Sequence, residues 1–192
     1  MGRTKDFDPD AALAAAMELF WRKGYEATSV QDLVEHLGVA RASLYGTFGT
    51  KHDLYLRALD RYTAQDADGT LTWLSEPGPV LPALRRGFRA LAEDCIRATE
   101  RRGCLVTNTT VELVPHDAPC TQRVTVVYDR MERDLTIALS RARADGELAA
   151  DADPRALARF LVTFLQGVKV LAKLPDRTRL VDAIEQALRL LD

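Results

Sequence analysis

The stretch from Ser29 to Gly49 has room for two helices of barely two turns each, and that constrains the fold more than any other part of the chain. Ser29, with Asp32 three residues on, has the pattern of a capping box. It opens an apolar stripe of Val30, Leu33 and Leu37, and Gly38-Val39 makes the turn. Arg41 to Phe48 then shows helical spacing again, with Leu44 and Phe48 inward and Gly49 as the break. Leu33, Leu37, Val39, Leu44 and Phe48 lock the two helices at a fixed angle. That leaves Arg41, Ala42, Ser43, Tyr45, Gly46 and Thr47 on or near the outer side of the second one. A pair of short helices joined by a tight turn can lay its second member in the major groove of DNA.

The segments on either side are also helical. Asp8-Pro9 caps and opens a first helix in which Leu13, Met17 and Phe20 share a face, and Gly24 ends it. Thr50 and Asp53 repeat the capping pattern and open a fourth helix from Lys51 to about Ala67. Asp68-Gly69 and Ser75-Glu76-Pro77-Gly78-Pro79 then separate this unit from the rest. Periodicity predicts further helices at about 80–101, 104–114, 119–144, 153–173 and 178–191, with Pro175 breaking the last two apart. No segment alternates as a strand would. The expected architecture is all-α with about nine helices: a three-helix helix-turn-helix domain over residues 1–50, and a helical ligand-binding and dimerisation domain over 51–192.

The run from Gly38 to Leu54, GVARASLYGTFGTKHDL, resembles the recognition helix and following turn of the TetR family of bacterial transcriptional regulators. The long fourth helix and two long terminal helices fit the same outline. The resemblance implies that Ser29 and Tyr45 bond phosphates, that Lys51 clamps the DNA backbone, and that Arg41 and Ser43 read bases, with Ala42, Gly46 and Thr47 beside them. Gly46 and Thr47 replace an aromatic and a histidine often found there, and Val34 replaces an alanine. Arg41 has a second reading, as the partner of a neighbouring carboxylate.

One short recognition helix binds weakly, so a homodimer on a palindromic double-stranded operator is expected, with half-sites about 34–36 Å apart or a multiple of that. The terminal helices are its candidate interface, through Phe160, Phe164, Gly167 and Leu171 on one and Leu180, Ile184 and Leu188 on the other; in a second reading these residues bury only within one chain. The segment Gly103–Glu112 sets three threonines and an asparagine among apolar residues, against their weak helix propensity. In one reading Cys104, Thr107, Asn108 and Val111 line a pocket for a small-molecule effector, completed by Phe88, Leu91, Tyr128, Met131 and Phe164. In the other, these polar groups satisfy neighbouring backbone and the aromatic residues are core. Gly103 to Glu112 also resembles electrophile-responsive members of the family, which would make Cys104 a sensor thiol rather than an inert buried one.

Lys and Arg number 26 against 28 Asp and Glu, and residues 1–67 carry 8 against 10, so no broad basic field draws this chain to DNA. The acidic N-terminal balance keeps open a third reading, a helical ligand-binding protein that no longer meets DNA. Cys95, Cys104 and Cys120 show no paired spacing, and His36, His52 and His116 are scattered, so no metal site or cofactor is expected. There is no GxSxG, HExxH or Walker A run, so no enzyme is expected. Met1 to Phe20 lacks a secretory pattern and no apolar run approaches bilayer length, so the expected location is the cytoplasm, away from membranes.

Overall fold

The computed structural model describes residues 7–67, 71–97, 100–174 and 178–190. Among these are nine α-helices and no strand: α1 Pro9–Lys23, α2 Val30–Leu37, α3 Arg41–Phe48, α4 Lys51–Ala67, α5 Val80–Arg97, α6 Leu105–Glu112, α7 Ala118–Ala144, α8 Pro154–Leu171 and α9 Thr178–Arg189. A 3-10 turn, Thr72–Ser75, lies between α4 and α5 and was not expected. The expected breaks at Asp68-Gly69 and Pro175, Leu191, and the side chain of Cys95 lie outside the described residues.

The helix starts follow from their caps. Asp8 accepts from the Asp10 amide at 2.9 Å with Pro9 in the first turn, and Asp153 accepts from Arg155 and Ala156 ahead of α8. Both capping boxes form: Ser29 Oγ accepts from Asp32 N at 3.0 Å, and Thr50 Oγ1 from Asp53 N at 3.1 Å. The aspartates answer by accepting from Ser29 N and Thr50 N, each at 2.8 Å. Gly38 ends α2 at φ 63°, left-handed backbone that a side chain would strain.

Among the described residues there are two hydrophobic cores. The second joins α5, the later turns of α7, α8 and α9 around Leu84, Phe88, Leu135, Leu139, Leu161 and Leu165. The first joins α1 to α4 around Phe20, Leu33, Leu44, Phe48, Leu54 and Leu59, and continues into Leu105, Val106 and Leu113 of the α6 region and Cys120 and Val124 of α7. Packing thus runs on across residues 50–51. Side chains as fully enclosed as Phe20 and Leu33 each contribute about 1.5–3 kcal/mol.

Polar contacts reinforce the join between α6 and the N-terminal helices. The Glu112 carboxylate accepts from Tyr25 N at 3.0 Å and Glu26 N at 2.8 Å, just past the end of α1. Gly24 there has φ 88°, and a methyl group on it would sit 3.2 Å from the same carboxylate. Trp21 Nε1 donates to the Gly103 carbonyl at 3.0 Å, the Arg102 guanidinium stacks 3.8 Å above the Trp21 ring and pairs with Glu18, and the Tyr55 and Thr109 hydroxyls bond at 2.8 Å inside the core.

Candidate nucleic-acid interface

Leu44 and Phe48 are buried and pin α3 to the first core, so its opposite side faces outward. Arg41, Ala42, Tyr45 and Gly46 are exposed there, and Ser43 and Thr47 are half-buried at its edges. Among the described residues Arg41 makes no ion pair, which leaves its guanidinium free for a ligand rather than a neighbouring carboxylate. Tyr45 is 43% exposed, unusual for so large a ring. No side chain caps α3, so its first amides also face outward unpaired by a cap.

Ser29 and Lys51 flank this surface but are engaged within the chain. Ser29 Oγ accepts from Asp32 N and donates to Asp32 Oδ2 at 2.8 Å, while Asp32 also pairs with Lys23 at 2.9 Å. The Lys23 contact, then the Ser29 bonds, hold the Asp32 carboxyl well below the usual range. Lys51 Nζ donates to the Tyr25 carbonyl at 2.8 Å and lies 4.1 Å above the Tyr25 ring. Sequence reasoning missed Tyr25, since nothing in the Gly24-Tyr25-Glu26 turn announces a lysine cradle.

The effector-region residues divide between the two cores. Phe88 and Met131 are buried in the second, with Leu91, Tyr128 and Phe164 half-buried against it. Cys104 and Thr107 are buried on the α6 side. Val111 is 71% exposed and, with Asn108, lines an open groove of about 330 Å³ that Trp21 and Val170 also line. Cys104 lies before α6 as its N-cap in extended backbone, and the buried residues of the helix are Leu105, Val106, Thr107 and Thr109. The polar groups of α6 all have partners: Thr109 and Thr110 donate to the Leu105 and Val106 carbonyls, Asn108 Nδ2 to the Arg102 carbonyl, and Thr107 to Gln166 Oε1. Thr110 also bonds the Tyr128 hydroxyl at 2.8 Å.

Cys104 Sγ is 3.7 Å from Lys169 Nζ and 3.5 Å from the Tyr62 hydroxyl. Burial pushes this thiol up, but the ammonium, the Tyr62 hydroxyl and Thr107 outweigh it and the net direction is down. Although the histidines and cysteines are scattered in sequence, folding brings His52, Asp117 and Cys120 together, with one ligand atom from each within 4.8 Å of the others.

The apolar stripe of α9 is turned into its own chain. Leu180, Ile184 and Leu188 are 1–3% exposed inside the chain's own second core. A twelve-residue helix with one apolar stripe spends that stripe on its own chain, chiefly against α5. The exposed apolar stripe lies on α8 instead: Phe160 and Phe164 stack at 6.0 Å, followed by exposed Gly167, Val170 and Leu171, with Val181 of α9 also exposed.

The profile of bacterial regulatory proteins of the tetR family matches residues 12–58, and that of the tetracyclin repressor-like C-terminal domain matches 81–188. The chain is 38% identical over its whole length, and the relative's, to the HTH-type transcriptional regulator YezE of Bacillus subtilis. It is 36% identical to the HTH-type transcriptional repressor ComR of Escherichia coli over 90% of this chain and 82% of that one. A cysteine-substituted TetR family transcriptional regulator, CifR, solved with 26-base-pair operator DNA, matches at TM-score 0.83 and 33% identity over 97% of this chain and 98% of its own.

Proposed function

Because the chain belongs to the TetR family of bacterial transcriptional regulators, we propose that it is a homodimeric repressor which a small-molecule effector releases from a palindromic operator. The observation that carries this reading is the outward face of α3, where Arg41 and Tyr45 project from a helix anchored by Leu44 and Phe48. Arg41 and Ser43 read bases. Tyr45 and Ser29 contact phosphates, and Lys51 exchanges the Tyr25 carbonyl for a phosphate oxygen or buttresses the turn from behind. With an acidic N-terminal part, affinity rests on these few groups and on having two copies of them.

The exposed α8 stripe supports pairing of two chains, through Phe160, Phe164, Gly167 and Leu171. The contacts between α6 and the α1–α4 core support coupling: an effector that displaces the bonds of Thr107 or Thr110 shifts α6, and Glu112 and Thr109 pass that shift to α1 and α4. Such coupling is typically 1–3 kcal/mol. The family consists of regulators, and no catalytic role is assigned to this chain. No helix among the described residues is long and apolar enough to cross a membrane.

The test is gel-shift binding to genomic fragments retained by the full-length protein. Tyr45→Ala and Lys51→Ala are expected to weaken all retained fragments, and Arg41→Ala to relax preference by about 1–3 kcal/mol at one base pair. Unchanged binding in all three variants would overturn the assignment of α3.

The surroundings of Cys104 favour a second reading, in which the effector is an electrophile or oxidant. A thiol beside an ammonium at 3.7 Å holds more of its thiolate near neutral pH than an ordinary cysteine does.

A further inference from the structure

From the juxtaposition of His52, Asp117 and Cys120 we infer a binding site for one soft transition-metal ion of the zinc class, joining the first turn of α4 to the first turn of α7. Neither the operator-reading face nor the effector region uses these residues. Imidazole nitrogen, carboxylate oxygen and thiolate sulfur are the donors such ions take, and the sulfur sets them apart from sites for magnesium or calcium.

The geometry is near what coordination needs. His52 Nε2 lies 2.6 Å from Asp117 Oδ2, and Cys120 Sγ is within 4.8 Å of both. Donors at about 2.0–2.3 Å from a tetrahedral ion are roughly 3.3–3.7 Å apart. The histidine–aspartate contact therefore opens by roughly an ångström or less on binding. Asp117 is already fixed for the task, because its other oxygen, Oδ1, accepts from Cys120 N at 2.8 Å and so caps α7. That bond survives coordination through Oδ2 and holds both α7 ligands in place.

The environment suits the same purpose. Cys120 is fully buried, while the His52 and Asp117 side chains are 30% and 17% exposed, so an ion would enter from the side of these two and take its fourth ligand from solvent. The His52 and Tyr25 rings are nearly perpendicular at a centroid distance of 6.1 Å, a contact that orients the imidazole. Nearby Arg123 is paired with Asp60 at 2.7 Å and 3.1 Å, so its charge is compensated. Coordination replaces the thiol proton, which passes to solvent past His52, and no electron changes hands.

His52 directly follows Lys51 in α4, and its ring meets Tyr25, which cradles that lysine. A filled site thus replaces a hydrogen bond at the junction of the reading helices and α7 with coordinate bonds.

The experiment is titration of tag-free, chelator-treated, full-length protein with Co2+. Expected are one ion per chain and a near-ultraviolet thiolate-to-cobalt charge-transfer band. The band is lost in Cys120→Ala, kept in Cys104→Ala, and needs at least about tenfold more Co2+ in His52→Gln, a change the 30% exposed side chain tolerates. No band in the wild-type protein, a band that survives Cys120→Ala, or several weak ions per chain would overturn the site. Because the readout is metal binding alone, its failure leaves the operator-binding assignment untouched.

Discussion

Among the described residues two cysteines are buried, with opposite surroundings. Burial and the Asp117 carboxylate push the Cys120 thiol up to about 12, whereas Lys169 and the Tyr62 hydroxyl draw Cys104 down. A mild electrophile is therefore expected to modify Cys104 before Cys120, read by mass spectrometry of the alkylated protein. Since the ammonium favours thiolate, Lys169→Met moves the pH profile of that modification upward, and alkylation near neutral pH slows. Release from DNA by the electrophile is expected to vanish in Cys104→Ser, and release that persists there would dismiss the thiol-sensing reading. Cys104 could be singled out in the sequence only by resemblance. Lys169 stands 65 residues away, and only folding of α8 against α6 brings its charge to the sulfur.

At the scale of a helix, α3 is the weakest element the function relies on. It has no side-chain cap, spans eight residues and carries Gly46, which costs about 1 kcal/mol relative to alanine. A methyl group at Gly46 meets nothing within 4 Å. Gly46→Ala is therefore expected to raise Tm by about 2–4 °C while operator affinity holds. Lost affinity with raised Tm would show DNA backbone pressed against that position. Element order was legible because the signals were local: Ser29 with Asp32, Thr50 with Asp53, and aspartate-proline at Asp8 and Asp153 each act within one helical turn. The α9 stripe was legible as apolar but not as internal, since periodicity shows that a face is buried without saying by what. Val111 lies on the side of α6 away from Leu105, Val106 and Thr109, and its apolar character alone did not show which side turned inward.

For the whole assembly, reading two half-sites depends on joining two chains, and the exposed α8 stripe is the surface available for it. Phe160 is 39% exposed, so Phe160→Asp leaves each chain's core intact. It is expected to shift the particle from dimer to monomer by light scattering. Operator affinity should fall by about 10²–10⁴-fold as the linked second contact is lost. A dimer that persists would move the interface elsewhere. The sharing of the first core has a different consequence, for recombination between relatives. Leu105, Val106, Leu113 and Val124 form part of the wall against which α1 to α4 close. A reading head transplanted onto a foreign effector half therefore needs that wall as well. A splice placed just after α3 strands Leu33, Leu44 and Phe48 beside unfamiliar neighbours, whereas a graft that carries α6 and the opening turns of α7 keeps the pieces that were shaped to meet.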